Sequence, residues 1–113
     1  MFTVSFYTPK GKKSPISKYL NRCNEALRAK VLRQLKYVQE YGLTPAVPNL
    51  RKLTGTPLWE LRILGKDNVR IVCVSLTGKN VKVLHIFTKK KQKTPQKELN
   101  VAIKRLDELT DDI

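Results

Sequence analysis

Residues 57–88 read PLWELRILGKDNVRIVCVSLTGKNVKVLHIFT. Three runs rich in Val, Ile, Leu, Trp and Phe are separated by GKD and TGKN, connectors short enough to demand consecutive antiparallel hairpins. The predicted strands are 57–64, 68–76 and 81–88. A three-residue loop at Gly65-Lys66-Asp67 sets Arg62 opposite Arg70. A two-residue turn at Gly78-Lys79 sets Arg70 opposite Phe87. With these registers one face carries Glu60, Arg62, Arg70, Val72, His85, Phe87 and Lys89. The other carries Trp59, Leu61, Ile63, Ile71, Cys73, Leu84 and Ile86, all apolar. A slip of one residue in the first hairpin would mix the two sets, so the clean separation selects the register.

Outward from this block the chain changes period. MFTVSFY opens with alternation that predicts a strand over residues 2–7. Ser14-Pro15 is a cap followed by proline at the first helical position, predicting a short helix to about Arg22. Asn24 caps a longer one, in which Leu27, Val31, Leu35 and Val38 step by four, four and three. Gly42 ends it; Arg28, Lys30, Arg33 and Lys36 point away from the stripe. Residues 43–56, with two prolines and a glycine, read as a loop. Thr94-Pro95 repeats the cap-plus-proline device before Leu99, Ala102, Ile103, Leu106 and Leu109. The expected fold is therefore α+β in the order β-α-α-β-β-β-α, an antiparallel sheet with its helices gathered on one face.

The 113 residues, 41% of them hydrophobic, suit a single domain spanning 1–113. No linker, repeat or low-complexity segment divides them. No apolar run is long enough for a transmembrane helix, and the N-terminal residues have their apolar side chains before their lysines, the reverse of a secretory signal. A cytoplasmic protein is expected. Cys23 and Cys73 stand alone, and with one histidine they make no zinc site, so neither metal nor cofactor is expected.

Charge is the strongest signal. Twenty-three Lys and Arg against nine Asp and Glu give +14. Residues 1–42 carry +7, residues 43–93 carry +9 and residues 94–113 carry −2. A field of this size attracts polyanions and points to a nucleic-acid partner. Lysines 89–91 and 93 lie where the last strand leaves the sheet, and can gather beside Arg62 and Arg70. The planar fork of arginine suits a phosphate. The alternative for Glu60 and the arginines is an exposed salt bridge of little consequence. For the lysines it is a solvated run, or charges that guard a strand against aggregation.

RKLTGTPLWELRI, NVRIVCV and VLHIFTKKKQKTPQKELNVAIKR resemble the phage-derived, HigB-like branch of the RelE/ParE toxin superfamily over roughly residues 2–108. The F-x-K-K-x-x-K-T-P run and the helix after it are the most specific part. The resemblance implies the toxin of a toxin–antitoxin pair that cleaves mRNA in the ribosomal A site and is neutralised by an adjacently encoded helix-turn-helix antitoxin. It implies catalytic roles for Arg62, Arg70, Lys89 and Lys90. Arg51, Lys52, Glu60, Phe87, Lys91 and Lys93 are then expected to contact RNA, with Glu60 orienting an arginine and Phe87 stacking on a base. Because RNA carries its own 2′-hydroxyl nucleophile, such an enzyme needs neither metal nor protein nucleophile. Some relatives use a tyrosine or histidines near the C-terminus for proton transfer. Residues 94–113 hold neither, which leaves the general base open, and His85 reads as half-packed rather than catalytic. Relatives with a weak basic face bind gyrase instead, and a non-catalytic RNA- or ribosome-binding module is the third reading.

Overall fold

The computed structural model describes residues 1–90 and 95–111. These form strand β1 (Thr3–Phe6), helices α1 (Pro15–Arg22) and α2 (Glu25–Tyr41), and strands β2 (Leu50–Lys52), β3 (Leu58–Ile63), β4 (Val69–Leu76) and β5 (Asn80–Thr88). Helix α3 (Gln96–Asp111) follows. The five strands make one sheet in the order β1-β5-β4-β3-β2.

The helix starts follow from their caps. Ser14 Oγ accepts from the amides of Ile16 (3.2 Å) and Ser17 (3.5 Å), and donates to the Tyr7 carbonyl at 2.7 Å. Asn24 Oδ1 accepts from the Leu27 amide at 2.8 Å. Gly42 closes α2 at φ +73°, and a Cβ there would lie 2.6 Å from the Phe2 ring. Any side chain would be both strained and obstructed. The capping threonine expected at position 94 lies outside the described residues; α3 takes its first bonds on the Pro95 carbonyl.

Both edges of the sheet differ from expectation. Leu50–Lys52 forms a strand inside what composition marked as a loop, pairing antiparallel with β3 so that Arg51 faces Glu60. Three residues are too few for a periodic signal. The sheet is also mixed rather than antiparallel throughout, because β1 pairs in parallel with β5. A strand that pairs with a partner far along the chain leaves no turn in the sequence to announce its direction.

The central hairpins keep the predicted pairing where it matters. Arg62 lies opposite Arg70, and Arg70 opposite Phe87. The second of these is reached by another route. The β4–β5 turn spans three residues, pairing Leu76 with Asn80, and a bulge at Val72/Cys73 then restores the predicted register by one extra residue on β5.

The core lies under the apolar face, where Leu61, Ile71 and Val31 are fully buried. Each such side chain contributes about 1.5–3 kcal/mol by leaving water. β4 is buried at six successive positions, Val69 to Val74, so both of its faces are covered. On the arginine face α3 packs on the neighbouring β5, where its Glu98 and Arg105 reach the side chain of His85. The helices are thus not all gathered on one face. Helical periodicity gave α3 an apolar stripe but not the side of the sheet it would meet.

Candidate nucleic-acid site

Residue alternation and the β2–β3–β4 register bring Arg51, Glu60, Arg62 and Arg70 to one face. Glu60 is 3% exposed, and its Oε1 stands 3.3 Å from the Arg51 Nη2 and 3.4 Å from the Arg70 Nε. Arg51 is largely in solvent, so that pair adds little stability. Arg70 is 5% exposed, and its Nε is buried without a hydrogen bond among the described residues. Its contact with Glu60 is therefore one of charge, leaving an N–H donor unused in a place where donors are normally satisfied. Arg62 is exposed, and its amide donates to the Asn49 carbonyl at 3.0 Å.

Lys89 completes the group. It is 5% exposed. Burial, with Arg70 adding repulsion, holds its amine below the ordinary lysine range, while Glu60 partly opposes the shift. Asn68 fixes it in place: the Asn68 carbonyl accepts from the Lys89 amide at 2.8 Å, and the Asn68 side-chain amide donates back to the Lys89 carbonyl. Asn68 adopts φ +50°, a region asparagine tolerates better than most residues. Sequence reading missed this clamp, although an asparagine at the mouth of a short hairpin was its available signal.

Asn49, Leu50, Arg51, Glu60 and Arg62 line a hollow of about 270 Å³. Arg70 and Lys89 are buried and do not line it. A larger hollow of about 510 Å³ beside α1 is lined by Pro15, Lys18, Tyr19, Arg22 and Cys23, and has no carboxylate with which to orient its cations. The smaller one, backed by a buried ion pair and a depressed lysine, is the candidate site.

Other predicted residues fall elsewhere. Lys52 sits over the Trp59 ring at 5.8 Å and donates to the Thr56 carbonyl, so it faces away from the arginines. Its neighbour Arg51 takes the other side, as strand alternation requires. Phe87 is 4% exposed, with its ring stacked on His85 at 5.3 Å. It offers no free face to a base. Lys90 is exposed. Lys91 and Lys93 lie outside the described residues. Cys23 is partly buried and Cys73 fully; both are free thiols, and burial pushes the Cys73 thiol up to about 12.

His85 is packed, as expected. Its Nε2 is 3.2 Å from Glu98 Oε1 and its Nδ1 is 3.2 Å from the Arg105 guanidinium. Arginine only donates, so Nδ1 accepts, and the ring is the neutral tautomer with its proton on Nε2. Burial lowers its pKa; Glu98 opposes and Arg105 assists.

Among the described residues no three His, Cys, Asp or Glu side chains are grouped to hold a metal ion. No helix among them is long and apolar enough to cross a membrane.

The fold is similar to that of a doubly substituted mutant of the E. coli toxin RelE in the free state. The TM-score is 0.65 at 19% identity, over 92% of this chain and 96% of that one. No curated protein matches the sequence. A family model described as phage-derived protein Gp49-like matches residues 18–107. The RelE-type resemblance read from the sequence is thereby met, and the chain belongs to the phage-derived Gp49-like family, built on the RelE fold.

Proposed function

We propose that this protein is the toxin of a toxin–antitoxin pair and an mRNA endonuclease that cuts translated message in the ribosomal A site. The observation that carries this reading is the cross-strand pairing of exposed Arg62 with buried Arg70, the latter held by Glu60. Two arginines opposite one another cost stability. Phosphate binding gives that pairing a use.

In this mechanism Arg62, in the wall of the hollow, stabilises the negative charge that grows on the scissile phosphate, and buried Arg70 adds its charge from behind Glu60. The 2′-hydroxyl attacks the adjacent phosphorus. Its proton passes to a base, and the bond to the 5′-oxygen breaks, leaving a 2′,3′-cyclic phosphate and a 5′-oxygen that takes up a proton to become a hydroxyl. Burial and neighbouring cations favour the neutral amine that a base needs at Lys89, and to reach the 2′-hydroxyl its side chain must turn from its buried position toward the hollow. Glu60 orients the guanidinium groups. A helix-turn-helix antitoxin with acidic groups would offset the +14 charge.

Primer extension on translated mRNA tests this. Wild type is expected to give new ends within codons, and Arg62→Ala to reduce them by about 10²–10³-fold without loss of folding, since Arg62 is exposed. Identical patterns from the two proteins reject the assignment. Inhibition of gyrase supercoiling without RNA cleavage would favour action through protein binding.

A further inference from the structure

Resting on that reading, we propose that the flank of α2 is a second binding segment for single-stranded RNA, taking the strand that leaves the Arg51–Arg62 hollow across Asn49 and onto Lys30 and Arg33. Three hollows follow one another, each sharing a wall residue with the next. The candidate site, about 270 Å³, includes Asn49 in its wall. Asn49 also borders a hollow of about 250 Å³ formed with Lys30, Arg33, Gln34, Ile63 and Leu64. Arg33 in turn borders a third, of about 240 Å³, with Lys36, Tyr37 and Glu40.

Each hollow is smaller than the roughly 300–1,000 Å³ of an ordinary small-molecule pocket. A row of small hollows suits an extended polymer crossing them in turn, and the charge selects a polyanion. Lys30, Arg33 and Tyr37 step by three and four, which puts them on one side of α2 away from its buried stripe. Tyr37 is 36% exposed, giving an unstacked base an aromatic surface, and Leu64, at 57%, adds an apolar one. Duplex RNA hides its base faces and has no use for either.

The path is held in shape. Gln34 Nε2 donates to the Pro48 carbonyl at 2.8 Å, and Lys30 Nζ to the Leu64 carbonyl at 3.4 Å. The Asn49 carbonyl takes the Arg62 amide, so the residue shared by two hollows is bonded to the strand that carries the arginine.

Fluorescence anisotropy with non-cleavable 2′-O-methyl oligonucleotides of three and eight nucleotides provides the test. The longer oligonucleotide is expected to bind wild type at least about 10-fold tighter. K30Q/R33Q is expected to erase that gain while leaving the trinucleotide affinity unchanged. Its salt slope for the longer one should fall by about 1.4, for two lost phosphate contacts on a single strand. Tyr37→Ala should weaken the longer one with no change of slope. A length gain that survives K30Q/R33Q, or an equal gain from duplex RNA, overturns the proposal. The cleavage-site reading fails separately, if Arg62→Ala leaves trinucleotide binding unchanged.

Discussion

One face of the sheet carries two clusters, each built around a glutamate. Glu60 stands between Arg51 and Arg70, near Lys89. Glu98 meets His85, whose other nitrogen takes Arg105. Arg105 also bonds the Leu84 carbonyl and lies over the Tyr7 ring at 5.0 Å, while the Tyr7 hydroxyl donates to Glu108. The second cluster is closed: α3 supplies three of its members, and the histidine and Arg105 find partners within it. The first has an exposed arginine, a hollow and a buried N–H without a bond. Similar residue types thus serve two ends, and the cover provided by α3 separates them. The closed cluster fastens a helix. The open one leaves an exposed arginine beside a hollow.

Substitution on each side can break that contrast. Lys89→Met should lower cleavage by about 10²–10⁴-fold while leaving thermal stability equal or higher, because a buried amine is replaced by an apolar side chain of similar length. Arg105→Met should do the reverse, lowering the melting temperature and sparing the activity of folded molecules. Denaturant unfolding beside cleavage assays decides it, and loss of activity in both variants would erase the distinction.

The glutamates give the next largest effect. Glu60→Gln leaves the buried Arg70 without its counter-charge and should cost about 3 kcal/mol in urea unfolding, together with activity. Glu98→Gln, at the more exposed pair, should cost about 1 kcal/mol and leave cleavage unchanged. Equal costs would mean that the two sites are energetically alike.

The smallest effect is one of pH. His85 has a folded pKa below its unfolded value of about 6.5, so the unfolded chain binds more protons between the two. Its contribution is fully present above about pH 6.5 and is lost as pH falls toward the folded pKa. His85→Gln should flatten that acid limb of the stability curve. An unchanged limb would show that His85 does not tie α3 in the assigned tautomer.

The open cluster could be read from the chain because strand alternation and two short connectors determine its register. Glu60, Arg62 and Arg70 followed from that alone, even though the β4–β5 turn was read one residue short. Turn and bulge offset each other before Arg70 is reached, so the error never arrived at the site. The closed cluster could not be read, since it depends on which side of the sheet α3 chooses. Arg51 and Lys52 could not be told apart until β2 was seen to be a strand, after which alternation sends one to Glu60 and the other to Trp59. The stacking role expected of Phe87 is a related case: periodicity puts an aromatic on this face, but not that its ring lies against His85 and is 4% exposed. Lys89 was found, but the asparagine that clamps it makes its bonds through a loop conformation with no periodic trace.

The parallel pairing of β1 with β5 has a consequence for how the molecule is made. Thr3 must wait for Asn80, 77 positions later, which at ordinary translation speeds takes about 4–15 seconds. Until then the β1 edge is unpartnered, and Lys89, a few residues further on, has not yet been added to the basic cluster. A nascent chain therefore lacks the assembled basic cluster for most of its manufacture.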